Sequence, residues 1–94
     1  MDPQFDILMD AFAIGLTLAE TVIPISPDLE EDIKIRILGY QKTFAYGYSY
    51  SVIKQIAKNY SDENERKDII KKLVVYLKKL YNNELYDIKV KYEN

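Results

Sequence analysis

FAYGYSYS, residues 44–51, decides how this chain folds. Aromatic residues alternate there with small ones, the two-residue rhythm of a strand, inside a neighbourhood whose apolar residues return every three or four positions. Read as strands, IKIRI (residues 33–37) and FAYGYSY (residues 44–50) make a hairpin turning near Gly39. Read as helix, Leu29, Ile33, Ile37, Tyr40, Phe44 and Tyr48 fall on one stripe. A second spacing favours the helix. Gly39, Thr43, Gly47 and Ser51 lie four residues apart, and Ala11, Gly15 and Ala19 upstream share that step. Small-residue stripes on consecutive helices let two backbones approach closely, with tyrosines flanking the seam. These seven residues are therefore the expected helix seam or partner interface. Each glycine costs about 1 kcal/mol in a helix interior. The apolar residues after Gly47 (Val52, Ile53, Ile56, Ala57, Tyr60) also face another way from those before it, so a kink or break is expected near Gly47.

Upstream, residues 3–23 read as a first helix. Asp6, Asp10, Thr17, Glu20 and Thr21 share one side, and an apolar arc of roughly 200° fills the rest, wider than the ~100° stripe of a one-sided helix. PISP, residues 24–27, ends it: Pro24 cannot continue a helix, Ser26 suits an N-cap and Pro27 a first helical position, so the second helix is expected over about 27–60. NYSDENE, residues 59–65, reads as a loop and cap with Ser61 as N-cap. A third helix over about 62–82 carries Ile69, Leu73, Leu77 and Leu80 on one side and Lys67, Lys71, Lys72, Lys78 and Lys79 on the other. The tail, residues 85–94, alternates Ile88, Val90 and Tyr92 with Lys89 and Lys91, which predicts a short extended segment. The expected fold is all-α, one domain of 94 residues: a three-helix bundle built on a tightly packed hairpin of helices one and two.

Charge divides unevenly along the chain. Residues 1–33 carry eight acids and no base, a net of −8; residues 34–94 carry all thirteen bases against seven acids, a net of +6. Internal pairing, copies meeting acidic end to basic end, or a basic face for an anionic partner would each use this split. The Tyr-, Lys- and Ile-rich, Gln-poor composition is compatible with a thermophilic microbe or one of its viruses. No base precedes Lys34, and the run AFAIGLTLA (residues 11–19) falls short of the ~20 apolar residues that span a bilayer. The expectation is a cytoplasmic protein with no membrane partner.

Catalytic chemistry has little to stand on. Cysteine and histidine are absent, which removes disulfides, thiolate nucleophiles, ordinary zinc sites and the usual proton carrier near neutral pH. No phosphate-binding loop, dinucleotide fingerprint or nucleophile elbow occurs. Asp28, Glu31 and Asp32 have the spacing to hold Mg²⁺, but after Pro27 they read first as acids favouring a helix N-terminus. No enzyme activity, cofactor, metal or small-molecule substrate is expected. Binding has more support: Lys67, Lys71, Lys72, Lys78 and Lys79, extended by Lys42, Lys54 and Lys58 of the second helix, can follow a phosphate backbone while Tyr48, Tyr50 or Tyr60 stacks on bases. A helix-turn-helix over residues 49–73 is disfavoured by the acidic DENE (residues 62–65) where a recognition helix would begin.

In size, helical content, lack of catalytic residues and a basic later half ending in KKLVVYLKKLY (residues 71–81), the chain resembles the small helical subunits of archaeal CRISPR effector complexes. That resemblance implies an antiviral-defence subunit stacked in copies along a guide-bound backbone and offering basic surface to a displaced DNA strand. The expected function is accordingly a non-enzymatic, self-associating subunit of a nucleoprotein assembly that contacts nucleic-acid backbone through lysines. The alternatives are a small protein-binding module that blocks a partner protein and, behind it, a virion or filament protein.

Overall fold

A computed structural model describes the backbone of residues 2–93 and the side chains of residues 2–83. Three helices follow one another: α1 (Pro3–Val22), α2 (Glu31–Ala57) and α3 (Glu63–Glu93). The stretch that was ambiguous between strand and helix is wholly helical. No described helix is long and apolar enough to cross a membrane.

α1 starts where Asp2 caps it, its carboxylate accepting from the Gln4 N–H at 3.0 Å, with Pro3 at the first helical position. It stops before Pro24, because the residue preceding a proline is pushed out of the α region, and Ile23 sits at φ −127°, ψ 74°. The helix predicted to begin at Pro27 begins instead at Glu31. Ser26 and Pro27 form a turn closed by the Leu29 N–H on the Ser26 carbonyl; Pro27 is pre-set for the second position of a turn as well as for a helix start, and the turn wins. Likewise Asp62, not Ser61, precedes α3: its carbonyl accepts from the Arg66 N–H at 3.0 Å and its carboxylate faces the Asn64 N–H. Arg66 bridges back to the Tyr60 and Ser61 carbonyls, holding the short α2–α3 connection.

The hairpin of α1 and α2 is tight, and α3 packs across it. Leu8, Phe12, Ala45, Ile53, Ala57, Ile69, Leu73 and Leu77 form the core. Ala11, Gly15 and Ala19 are buried as expected, and a Cβ built on Gly15 would stand 2.9 Å from the Ala45 Cα, so the two backbones meet there. α2's side of the seam is not the expected one. Its buried stripe is Gln41, Ala45, Ser49, Ile53 and Ala57, whereas Thr43, Gly47 and Ser51 are exposed and an added Cβ at Gly39 or Gly47 meets nothing within 4 Å. The two stripes are offset by two residues, about 200° at 100° per residue, so choosing one puts the other on the far side. Gln41 donates to the Ile23 carbonyl at 2.7 Å, tying the end of α1 to α2.

Two further expectations are corrected. α2 runs unbroken through Gly47, one helix whose buried residues continue at four-residue steps past that position; the apolar series ending at Tyr48 belongs to a different side of the helix. The backbone of the expected extended tail is helical through Glu93, and its last residue, Asn94, lies outside the described residues. Leu85, Ile88 and Tyr92 also stand three and four residues apart, a helical spacing that continues α3.

Candidate nucleic-acid interface

The N-terminus of α1 is anchored to the middle of α3 by a small set of side chains. Besides capping α1, Asp2 accepts from the Lys72 ammonium at 2.9 Å. That hydrogen bond, and after it the one from the Gln4 N–H, holds the Asp2 carboxyl below its ordinary value of 3.8. The same Lys72 ammonium lies 5.0 Å from the centre of the Phe5 ring, and Phe5 stacks on Tyr76 at 4.6 Å and 25°. Gln4, on the adjoining turn, donates to the Tyr60 hydroxyl.

A groove of about 450 Å³ opens beside this anchor, lined by Phe5, Asp68, Lys71, Lys72, Val75, Tyr76 and Lys79. The α3 residues recur at three and four positions, so they share one side of the helix. Val75 and the Phe5–Tyr76 rings make an apolar floor, and ammonium groups stand around it. Lys72 is spent on Asp2, but among the described residues neither Lys71 nor Lys79 makes an ion pair. The groove can thus offer cations to an extended anion beside an apolar floor.

Of the lysines singled out from the sequence, Lys71, Lys72 and Lys79 come together here. Lys67 is paired with Glu63 one turn earlier at 3.4 Å, and Lys78 is exposed on the same outer side of α3 without lining the groove. Lys54 and Lys58 lie apart on α2, Lys54 over the Tyr50 ring at 5.1 Å. Lys42 is corrected outright: it is fully buried, donates to the Tyr81 carbonyl at 2.7 Å and sits 4.7 Å from the Tyr81 ring. Phe5 was missed as a site residue because only the tertiary fold carries it to α3, while Tyr76 and Val75 could have been found from their phase among the lysines. Among the described residues no group of three or more acids is placed to hold a metal ion, Asp28, Glu31 and Asp32 included. Comparison with protein-family models, curated proteins and solved structures returns no match.

Proposed function

We propose that the protein is a non-enzymatic helical subunit that contacts nucleic-acid backbone through the outer side of α3. The observation that carries this is the groove in which Lys71 and Lys79, lacking ion-pair partners among the described residues, flank the Phe5–Tyr76 ring pair. Lysines following a phosphate chain beside aromatic faces are the usual means of holding single strands without reading sequence. Lys78 extends the cationic side along the helix. A subunit of a larger nucleoprotein assembly, including the effector-complex setting that the chain's build resembles, would use such a face.

The test is fluorescence anisotropy with a labelled single-stranded oligonucleotide across a salt series. Affinity should fall with salt, and Lys71→Gln with Lys79→Gln together should flatten the log–log slope by about 1.4, since each single-strand phosphate contact contributes roughly 0.7. Binding that ignores salt, or a slope unmoved by the double variant, would remove the groove from consideration and favour the protein-blocking alternative, which draws its support from exposed apolar residues on the opposite side of the hairpin.

A further inference from the structure

We infer that the side of the α1–α2 hairpin opposite α3 is an interface between two copies of this chain. Successive helical residues turn by 100°, so Gly15 against Ala45 fixes where their neighbours point. Leu16 and Tyr46 lie on the flank that meets α3, where both pack against the core and Tyr46 meets Tyr81 edge to face. Ile14 and Phe44 therefore lie on the other flank, and they are 50% and 40% exposed. Helical spacing adds Ile7 and Leu18 to Ile14 on α1, and Tyr40 and Tyr48 to Phe44 on α2; Ile7, Leu18 and Tyr40 are likewise exposed. On α2 no charged residue interrupts the series; on α1 Asp10, three residues after Ile7 and four before Ile14, lies within it toward its outer edge. Aromatic and aliphatic enrichment with charge depletion is the composition of an interface centre.

The charges at the rim name the occupant as a second copy, because they are self-complementary. α1 and α2 run antiparallel, so Asp6, nine residues before Gly15, is level with Lys54, nine residues after Ala45; Asp10 and Lys58 flank them. Asp6 and Asp10 edge the surface on α1's outer side, and Lys54 and Lys58 edge it on α2's. A two-fold axis parallel to the helices lays α1 of one copy over α2 of the other and sets each acidic rim against a basic one. This surface is separate from the lysine groove, and its test involves no nucleic acid.

Sedimentation equilibrium of the full chain should give twice the 11.0 kDa mass. Ile14→Asp or Phe44→Asp should raise the dimer Kd at least about thirtyfold, the loss of one hot spot, with an unchanged far-UV circular dichroism spectrum. Leu18→Ser and Tyr40→Ser, which remove apolar area without adding charge, decide the matter if the aspartates perturb folding. Asp6→Lys with Asp10→Lys should weaken the dimer, and adding Lys54→Glu with Lys58→Glu should restore it. A monomer at about 100 µM, well above the micromolar Kd that standard-sized interfaces reach, overturns the inference and leaves the surface to another protein. So does a dimer indifferent to the apolar variants, or a charge swap that rescues nothing.

Discussion

Gly15 and Gly47 should respond to the same substitution with opposite signs. A methyl at Gly15 meets the Ala45 backbone, which cannot swing aside as a side chain can, so Gly15→Ala should cost about 1–3 kcal/mol by overpacking the seam. Gly47→Ala meets open space and should gain about 0.5–1 kcal/mol from helix propensity. Denaturant unfolding of both variants reads the two signs directly. At Asp2 the lowered carboxyl pKa makes a contribution that is complete above the ordinary value of 3.8 and lost as pH falls through the depressed folded value. Asparagine caps a helix about as well as aspartate, so Asp2→Asn isolates the charge. Its Tm should lie below wild type at neutral pH and converge with it in acid; a constant offset across the titration would assign the effect to something other than the Lys72 pairing.

At the scale of the element, α2 is the helix whose sequence supports two incompatible faces. FAYGYSYS holds small residues at Gly47 and Ser51, in line with Thr43 before it, and again at Ala45 and Ser49, and local propensity does not distinguish the two series. Continuation does: the second series leads into Ile53 and Ala57, which belong to the core. That this series also runs back through Gln41 and Lys42 hid it, because both are ordinarily surface residues. Lys42 is tolerated there by its hydrogen bond to the Tyr81 carbonyl and by packing its stem between α2 and α3. Lys42→Ala should therefore cost about 2–4 kcal/mol, as for a large buried side chain. A change near zero in urea unfolding would mean that the stem contributes nothing to the packing. α3 posed the opposite problem. Its amphipathic pattern identified it at once, yet its end was obscured because residues 85–94 satisfy the strand and helix periods alike.

For the molecule as a whole, a dimer through the α1–α2 surface makes stability depend on concentration: Tm should rise with protein concentration in the wild type and stay flat in Ile14→Asp. A flat wild-type Tm would count against the dimer. The all-α class, three helices, the stop at Pro24, the close-packing stripe of α1 and the basic side of α3 were legible in the sequence, because proline chemistry, helical period and amphipathicity act over a few residues. Which side of α2 meets α1, the burial of Lys42, and the arrival of Phe5 beside Tyr76 and the lysines were decided only by the tertiary structure. Each depends on contacts between residues distant along the chain, where packing at Gly15 and Ala45 selects one of two locally equivalent faces, and a periodic pattern carries no record of that selection.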